Sequence, residues 1–370
     1  MKNISIVGLG RLGLCFGLTL EKAGYSVVGC DISEDYIASI NNKTLNSDET
    51  DVNSTLAAST NLHATTNLEE CINHSNVIFI VVSTPSLPDG RYNHRYIDKV
   101  VGDIVALKKH RGPVAEAKHH HIVISSTTMP TYCDTVQDRL SSCNCTVSYN
   151  PEFIAQETIL RDQLQPDMVL IGEGSVESGD VIQAIYEAHT HSKPQVFRMS
   201  RTESEICKIA LNCFITTKIA FANMIGDIAS LSGCDADPIL AAIGSDSRVG
   251  PKCLKYGYGY GGPCFPRDNR ALSIHADDVG VDATISKASD SCNKEHLRHQ
   301  LDVFFRDHDT STPVVFDFIT YKKESAITEE SQQLAFAELL ADNGYEVYIK
   351  ERDSVIDSLD QHFKDKVVFI

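Results

Sequence analysis

The segment GYGYGGPCFPRD, residues 257–268, surrounds a single cysteine, Cys264, with glycines and prolines. A cysteine becomes a nucleophile when nearby positive charge or a helix N-terminus stabilises its thiolate. Arg267 and the backbone amides of Gly261 and Gly262 can supply this stabilisation, and glycine also lets a bulky substrate come close. The segment therefore predicts a thiol that reacts with a substrate, and the alternative is a tight turn with an incidental cysteine.

Three more side chains can take part in chemistry at a hydroxyl or carbonyl group. Lys208 and Asn212 lie four residues apart in a predicted helix, and hence on one face of it. A lysine beside a reacting hydroxyl can stabilise an alkoxide, or act as a base if its pKa falls. The alternative is a surface lysine with a polar contact. Glu152 lies at the end of a predicted strand, where it can help to activate water or can simply cap a helix.

A different chemistry is indicated near the N-terminus, where residues 8–13 read GLGRLG. This G-x-G-x-x-G motif follows an apolar strand and opens a helix: Gly8 permits the tight turn, Gly10 lets a pyrophosphate approach, and Gly13 lets the helix pack on the sheet. Asp31 ends the next strand about 20 residues further on, as expected of an acid that binds ribose hydroxyls and repels a 2′-phosphate. NAD is therefore favoured over NADP, and the alternative is a Rossmann-like fold that binds nothing. The predicted cofactor contacts here are Gly8, Gly10, Arg11, Leu12, Gly13 and Asp31.

Two hydroxyl-rich segments, Ser83-Thr84-Pro85 and Ser126-Thr127-Thr128, each end an apolar strand. In an open parallel sheet, the C-terminal ends of the strands form the rim of the ligand crevice. Hydroxyls at this rim can reach a cofactor or hold a water, or they can cap the helices that follow. Both interpretations stay open from the sequence.

The elements that must position these groups alternate between strands and helices in the first part of the chain. Fully apolar strands separated by helices are typical of a doubly wound, Rossmann-like parallel sheet. We therefore predict an NAD-binding domain over residues 1–200. Its predicted strands are ISIVGLG, SVVGCD, Asn76–Pro85, His121–Thr128 and Cys145–Phe153, with a helix over Arg11–Ala23.

After about Arg201 the pattern becomes helical. A long helix is predicted over Glu203–Leu231, followed by short helices and the cysteine loop, which gives a helical central or dimerisation domain over residues 201–300. Strands return from Thr312, with a helix at 330–343 between them, in a small α/β module over residues 301–370 that has the pattern of a reduced second nucleotide-binding-like lobe. The predicted fold class is α/β: a Rossmann-like sheet, a helical middle domain and a short C-terminal α/β domain.

The composition limits the class of protein. The chain of 370 residues has a net charge of −17, which disfavours nucleic acid and anionic membranes as general partners. No apolar run reaches the ~20 residues of a membrane span, and no signal-peptide pattern is found, so we expect a cytoplasmic protein with reduced cysteines. No metal is predicted: Cys143 and Cys145 lack a second pair at zinc-ligand spacing, and His119–His121 are interpreted as a solvated loop before a strand.

Taken together, these motifs resemble the UDP-glucose/GDP-mannose dehydrogenase family, also called nucleotide-sugar 6-dehydrogenases. The pieces occur in family order: GLGRLG, STP, SSTT, NPEF, the K-x-x-x-N of Lys208 and Asn212, and GGPCFPRD, which is the most distinctive. The resemblance implies oxidation of the C6 hydroxymethyl group of a nucleotide sugar to a carboxylate with two NAD. In that scheme Cys264 attacks the C6 aldehyde to give a thiohemiacetal, a second oxidation gives a thioester, and water hydrolyses it.

The resemblance also implies roles for particular residues. Lys208 and Asn212 would support the oxyanion. Asp268 and Thr127 would position the water or a proton relay, and Glu152 would assist hydrolysis of the thioester. Further cofactor contacts would come from Ser83, Thr84, Pro85, Ser126, Thr127, Gln156 and Arg267. Substrate contacts would come from Phe153, Ile154, Lys208, Asn212, Lys255, Tyr256, Gly261 and Lys322, and from Arg248 of the partner subunit in a homodimer formed through the long central helix.

Some positions depart from the family pattern. Arg267 stands where the family usually has lysine, Gln156 where it has glutamate, and Glu329 where it has an arginine that contacts the cofactor. The C-terminal module is also shorter than the family's third domain. Two other functions are compatible with the sequence. One is a two-electron dehydrogenase of the hydroxyacid type, which would not need Cys264, and the other is a non-catalytic protein that binds nucleotide sugars.

Overall fold

The computed structural model describes residues 2–110, 118–154, 157–323 and 325–370. The chain forms two compact units, Met1–Lys208 and Ile209–Ile370, and the boundary falls inside a helix of 31 residues. The division into three domains at residues 1–200, 201–300 and 301–370 stays a prediction. The two units are described separately below.

The first unit is built on one sheet, which has eight strands within the described residues. The strands are β1 (Asn3–Val7), β2 (Ser26–Cys30), β3 (Leu62–Thr65), β4 (Val77–Ile80), β5 (His120–Ile124), β6 (Cys145–Tyr149), β7 (Met168–Gly172) and β8 (Gln195–Met199). Their order in the sheet is β3-β2-β1-β4-β5-β6-β7-β8, and β6 with β7 is the antiparallel pair. The order reverses between β1 and β4, which is the point where open α/β sheets bind their ligands.

Helices cover both faces of this sheet. They are α1 (Arg11–Lys22), α2 (Glu34–Asn41), α3 (Val52–Ala58), α4 (Leu68–His74), α5 (Arg95–His110), α6 (Tyr132–Leu140), α7 (Ile159–Leu164), α8 (Val176–His189) and the start of α9 (Arg201–Leu231). Alternate residues of β4 therefore enter two different cores: Phe79 packs with α1 side chains such as Phe16, and Ile78 and Ile80 pack in the other core with Ile104 of α5. Two-sided burial explains why the central strands are continuously apolar.

The predicted strands of the first unit are present, but all five end earlier than the sequence predicts, and the difference is largest at β4, β5 and β6. β4, β5 and β6 end at Ile80, Ile124 and Tyr149. The residues that follow these strands leave the sheet and form loops at its C-terminal edge. The sequence analysis missed three strands: β3 has only four residues, β8 carries half-exposed polar residues, and β7 is a buried apolar strand that it passed over.

The histidine run is not a solvated loop, which corrects the sequence interpretation. His120 and His121 belong to β5 and are buried. The His120 Nε2 atom lies 3.0 Å from the carbonyl oxygen of Ile72, and the Lys108 ammonium donates to Nδ1 at 2.7 Å. Burial lowers the pKa of His120, and the Lys108 charge lowers it further. Within the described residues, no group of three or more His, Cys, Asp or Glu side chains is arranged to hold a metal ion.

The second unit begins with the rest of α9 and consists of helices followed by a small sheet. The helices are α10 (Ala236–Ser245), α11 (Phe265–Asp278), α12 (Thr284–Asp307), α13 (Gln332–Asp342), α14 (Asp353–Ser358) and α15 (Gln361–Lys364). The strands β9 (Val314–Phe316), β10 (Val347–Ile349) and β11 (Val368–Phe369) pair in parallel in the order β11-β10-β9. α12 has 24 residues, whereas the sequence predicts only short helices there.

The helix α9 is long and apolar enough to cross a membrane, judged by length and composition alone. The sequence analysis, which counted uninterrupted apolar runs, did not single it out. One such helix is a weak indication of a membrane span, because core and interface helices of globular proteins share these properties.

Candidate active site

The glycine motif of the first unit forms the turn from β1 into α1. Gly8 has a φ of +98°, and a Cβ added to it would lie 2.4 Å from the carbonyl oxygen of Val81. A Cβ added to Gly13 would lie 1.9 Å from the oxygen of Gly8, whereas one added to Gly10 would meet no atom within 4 Å. Two of the glycines are therefore required by packing, and the third leaves open space at the N-terminus of α1. This arrangement fits a pyrophosphate held by the first amides of the helix.

Asp31 lies directly after β2, beside this turn. Its Oδ2 atom accepts a hydrogen bond from the amide of Leu9 at 2.9 Å, and its Oδ1 atom accepts one from Ile32 at 2.7 Å. The carboxylate is therefore held at the glycine turn by backbone amides. An acid in this place can accept from ribose hydroxyls and disfavours a phosphate.

The hydroxyl-rich segments after β4 and β5 are joined to each other. The Thr84 hydroxyl donates to the carbonyl oxygen of Thr127 at 2.8 Å, and the Ser126 hydroxyl donates to the oxygen of Val82 at 2.6 Å. Neither Ser126 nor Thr127 caps a helix, because α6 begins at Tyr132. The helix-capping interpretation is therefore wrong for this segment, and the contacts of Ser83, Thr84, Pro85, Ser126 and Thr127 with a cofactor stay a prediction.

A buried carboxylate that the sequence analysis missed anchors the second of these loops. Glu205, on the first turns of α9, accepts from the Thr128 hydroxyl at 2.9 Å and from the amides of Thr131 at 2.7 Å and Cys133 at 2.9 Å. It thus satisfies amides at the start of α6, and burial raises its pKa. Nothing in its residue type or position distinguishes it in the sequence from a surface glutamate.

Glu152 and Lys208 lie close together in the first unit. The Lys208 ammonium donates to the carbonyl oxygen of Glu152 at 2.7 Å and lies 4.6 Å from the centre of the Phe153 ring. The Glu152 carboxyl accepts from the Tyr186 hydroxyl at 3.0 Å. Burial raises the pKa of Glu152 to about 7, against the opposing effects of Tyr186 and Lys208. A carboxyl with a pKa near 7 is suited to acid–base work at neutral pH.

The neighbours of Glu152 are placed as follows. Phe153 and Ile154 are half-buried in the loop after β6, and Ile154 also packs against the apolar core of the first unit. Their contact with a substrate stays a prediction. Gln156 lies outside the described residues.

In the second unit, Cys264 occupies the N-cap position of α11 and its side chain is exposed. Pro266 in the first turn fits a helix start, where a missing N–H costs nothing. The positive end of a helix dipole stabilises a thiolate at this position. One turn further along, the buried carboxylate of Asp268 accepts a hydrogen bond from the Asn212 amide at 2.7 Å. The predicted thiol, carboxylate and amide are thus grouped around the start of one helix.

The glycines before Cys264 are required because other parts of the protein pack against them, whereas the sequence predicts that they make room for a substrate. A Cβ added to Gly261 would lie 2.2 Å from the oxygen of Glu330, and one added to Gly262, whose φ is +82°, would lie 2.6 Å from the Tyr321 ring. The space beside these glycines is filled by protein. The Gly262 amide donates to the oxygen of Glu329 at 2.9 Å, so the prediction that it stabilises the thiolate is wrong.

The remaining predicted substrate residues lie in the second unit and differ in exposure. The Tyr256 ring lies against α9, where a Cβ added to Gly226 would approach it to 1.9 Å, and its hydroxyl donates to Asp227 at 3.0 Å. Lys255 is exposed and Lys322 is half-buried. Arg248 is exposed and forms an ion pair with Asp246 at 2.8 Å. Their roles, and that of Arg267, stay predictions.

Comparisons with known proteins point in one direction. Residues 2–190 match the model of the UDP-glucose/GDP-mannose dehydrogenase family, NAD binding domain, and residues 202–295 match that family's central domain. A GDP-mannose 6-dehydrogenase of Pseudomonas syringae pv. tomato is 30% identical over 362 residues, which cover 94% of this chain and 80% of that protein. A UDP-glucose 6-dehydrogenase of Pseudomonas aeruginosa is 27% identical over 360 residues, which cover 93% of this chain and 78% of that protein.

A solved structure gives the same result. A UDP-glucose dehydrogenase from the archaeon Pyrobaculum islandicum superimposes with a TM-score of 0.88 at 26% identity, and the match covers 100% of this chain and 86% of that one. The predicted fold class is confirmed by this similarity, and NAD as the cofactor is confirmed by the matched NAD binding domain.

Proposed function

The chain belongs to the UDP-glucose/GDP-mannose dehydrogenase family, as its motifs predict, and on that premise we propose that it oxidises the C6 hydroxymethyl group of a nucleotide sugar to a carboxylate. The observation that carries the proposal is the exposed Cys264 at the start of α11, one turn from the pair of Asp268 and Asn212. A two-electron dehydrogenase needs no such thiol, whereas oxidation to an acid needs a covalent hold on the aldehyde.

The first oxidation converts the hydroxymethyl group to an aldehyde. Gly8, Gly10, Gly13 and Asp31 would hold NAD at the turn into α1, where it would supply the hydride acceptor for both oxidations. The Lys208 ammonium, which can donate to an oxygen, stabilises the alkoxide that forms as the hydroxyl loses its proton. The thiolate of Cys264 then adds to the aldehyde carbon. The new C–S bond turns the carbonyl oxygen into an oxyanion, which Lys208 and Asn212 stabilise as donors.

The second oxidation removes a hydride from the thiohemiacetal carbon and leaves a thioester on Cys264. Water then adds to the thioester carbonyl, the C–S bond breaks, and the thiol and the carboxylic acid are released. Asp268 is a buried carboxylate on α11, one turn after Cys264, and in this proposal it relays a proton from the attacking water to the departing sulfur. Thr127 is placed on the rim after β5, where its role in ordering the water stays part of the proposal.

Glu152 is proposed as the base for hydrolysis of the thioester. Because burial raises its pKa to about 7, its ionised fraction grows as pH rises through neutrality. The hydrolysis rate should therefore rise across this range, and the Glu152→Gln enzyme should lose the rise and about 100-fold or more in rate. The folded protein binds this proton more tightly than the unfolded chain, so the residue's contribution to stability is lost as pH rises through about 7. Urea unfolding of both proteins at several pH values checks this sign.

The central experiment is a panel of nucleotide sugars with NAD, including UDP-glucose, GDP-mannose and UDP-N-acetylhexosamines. NADH is followed by absorbance, and the product is counted by chromatography. Two NADH for each sugar consumed is the expected result. In the Cys264→Ser enzyme, acid formation should stop, and mass spectrometry should find either free aldehyde or a trapped ester. The exposed Cys234, outside the site residues, gives the matched control Cys234→Ser. Unchanged acid formation in Cys264→Ser would contradict the mechanism.

The proposal includes a homodimer formed through α9. Five large apolar side chains on the second-unit part of this helix are exposed: Phe214 (64%), Phe221 (40%), Met224 (40%), Ile228 (55%) and Leu231 (67%). Phe214, Phe221 and Ile228 follow at intervals of seven, as do Met224 and Leu231, which is the repeat of a helix–helix seam. Such a seam in water favours a second copy of the same helix.

The dimer is tested by light scattering during gel filtration. The double variant Phe221→Glu/Ile228→Glu should run as a monomer, because charges in an apolar seam oppose association. Val281 is equally exposed but lies in the loop between α11 and α12, so Val281→Glu is the matched control and should keep the wild-type mass. A wild-type protein that is monomeric at micromolar concentration would overturn this part of the proposal.

A further inference from the structure

Three buried polar side chains of the second unit have no part in the proposed mechanism. Asn223 lies on α9, and Asn293 and His296 lie one turn apart on α12; none of them is more than 7% exposed. Burying an amide or an imidazole is unfavourable unless hydrogen bonds replace those to water. All three direct bonds to the same short stretch of backbone, residues 257–260.

Asn293 holds the backbone of Tyr260 at both of its polar groups. Its Oδ1 atom accepts from the Tyr260 amide at 2.9 Å, and its Nδ2 atom donates to the Tyr260 carbonyl at 2.9 Å. The fit leaves no room on the loop side, because a Cβ added to Gly259 would lie 2.3 Å from Asn293 Oδ1. The Tyr260 hydroxyl donates to Asp290, one turn earlier on α12, at 2.8 Å.

Gly257 is held in the same way by both helices. Its amide donates to Asn223 Oδ1 at 3.1 Å, and its carbonyl oxygen lies 2.6 Å from His296 Nε2. The other ring nitrogen of His296 lies 2.9 Å from both carboxylate oxygens of Asp227. A carbonyl can only accept, so Nε2 carries a proton and donates it to the Gly257 carbonyl, while Nδ1 faces the carboxylate of Asp227. The ring is therefore fixed in one orientation toward the loop.

The stretch between these anchor points belongs to the predicted substrate loop. Lys255 and Tyr256 precede it, Gly261 follows it, and Cys264 is the fourth residue after Tyr260. We propose that Asn223, Asn293 and His296 are positioning residues, which hold the backbone of residues 257–260 so that the loop meets the nucleotide sugar in its binding conformation. This inference rests on the proposed function of the same site.

Holding a loop in its bound conformation before the ligand arrives removes an ordering cost from binding. Loss of an anchor should therefore raise the KM and the Kd for the nucleotide sugar by about tenfold or more, while NAD affinity stays unchanged. The rate of the chemical steps, measured in single turnover at saturating sugar, should change far less. A purely structural role would instead lower the amount of active enzyme and leave both KM values as they are.

The experiment compares wild type, Asn293→Ala and the control Ser289→Ala, each as the full chain. Ser289 is also buried on α12 and bonds to Thr217 of α9, but it does not touch the loop. Titration calorimetry with UDP-glucose, and with GDP-mannose in parallel, gives the affinity for the sugar, and NADH fluorescence gives that for the cofactor. Hydrogen exchange followed by mass spectrometry of the peptide covering residues 255–264 reports the loop itself without any ligand.

Asn293→Ala should exchange the amides of this peptide at least tenfold faster and should bind the active nucleotide sugar about tenfold more weakly, whereas Ser289→Ala should match wild type. Faster exchange with unchanged sugar affinity would overturn the positioning role alone. If the wild type binds NAD but none of the nucleotide sugars of the panel, the proposed function and the positioning role both fail, although the exchange result still shows whether Asn293 holds the loop.

A second variant keeps the proposal testable if Asn293→Ala does not fold. Gly259→Ala introduces a methyl group against Asn293 and should weaken sugar binding by displacing the loop. The Asn293→Asp substitution keeps the acceptor for the Tyr260 amide but replaces the donor to its carbonyl, so it should give an intermediate affinity. Where all variants fold, Gly259→Ala should lower the affinity for the nucleotide sugar less in the Asn293→Ala background than in wild type. Additive effects would contradict direct contact between the two residues.

Discussion

In the glycine loop of the first unit, residues 8–13, the space beside Gly10 is open: an added Cβ would meet no atom within 4 Å. In the glycine loop of the second unit, residues 257–262, the space beside Gly261 is closed, because an added Cβ would lie 2.2 Å from the carbonyl oxygen of Glu330. The first loop keeps room for a ligand at the start of α1. The second keeps room for another part of the same chain.

The difference shows that one sequence signal has two physical causes. Glycine is required wherever something comes closer to the backbone than a Cβ allows, whether it is a phosphate or a carbonyl group of the protein. The sequence indicates the close approach but not what approaches. For residues 257–262 the sequence predicts that the substrate approaches the backbone. In the structure, other parts of the protein occupy the space beside Gly261 and Gly262. Contact of the substrate with the loop backbone stays a prediction.

The largest expected effect of adding a methyl group is at Gly13, because the atom nearest to the new Cβ belongs to the backbone. Gly13→Ala should lower the free energy of unfolding by about 3 kcal/mol, because the new Cβ would lie 1.9 Å from the backbone oxygen of Gly8, which cannot move aside without distorting the turn. Urea unfolding measures the change. Gly102, in the interior of α5, has no atom within 4 Å of an added Cβ, so Gly102→Ala should instead stabilise the protein slightly.

The second prediction concerns the closed loop. Gly262 has a φ of +82°, and its added Cβ would meet the Tyr321 ring at 2.6 Å. Gly262→Ala should cost about 2 kcal/mol of stability and should weaken binding of the nucleotide sugar. Gly280 has a similar φ of +77° but open space around it, so Gly280→Ala measures the cost of the positive φ alone. It should lower the free energy of unfolding by about 1 kcal/mol and leave the affinity for the nucleotide sugar unchanged. Equal losses in the two variants would show that Tyr321 adapts freely.

The sequence predicts those parts of the fold that have a local cause, and it does not predict those that depend on residues distant in the chain. The strands β1, β2 and β4 are predictable because helices cover both faces, which leaves a continuous apolar run in the sequence. β8, with its half-exposed Gln195–Met199, gives no such run. The end of β4 at Ile80 was predicted too late, since the apolar Val81 and Val82 follow it in the loop.

The candidate site divides in the same manner. The turn at Gly8–Gly13 and the cysteine loop are recognisable because each motif is contiguous, and the pair of Lys208 and Asn212 because a helix fixes its spacing. Asn293 and His296 are not recognisable, since their partners are backbone atoms 33 and 39 residues away in the chain. Backbone amides and carbonyls are the same in almost every residue, so the sequence does not indicate which of them a side chain will bind.

The third prediction tests the open loop. Gly10→Ala should leave the stability nearly unchanged, because Gly10 has a φ of −54° that alanine can adopt and its added Cβ meets no protein atom. The affinity for NAD should fall about tenfold, since the methyl group would occupy the space of the pyrophosphate. Titration of NADH fluorescence measures the affinity, and urea unfolding measures the stability. Loss of stability with unchanged NAD affinity would show that the space beside Gly10 is needed by the protein and not by the cofactor.

The smallest expected effect is at Gly257, the residue of the second loop that is most similar to Gly10 of the first. Gly257 is held at both backbone groups, yet an added Cβ would meet no atom within 4 Å, as at Gly10. If open space beside an anchored glycine marks the path of a ligand, Gly257→Ala should keep its stability within about 0.5 kcal/mol and raise the KM for the nucleotide sugar about threefold. The KM for NAD should not change. An unchanged KM for the sugar would show that this space faces only water, and that Gly10 alone marks a ligand.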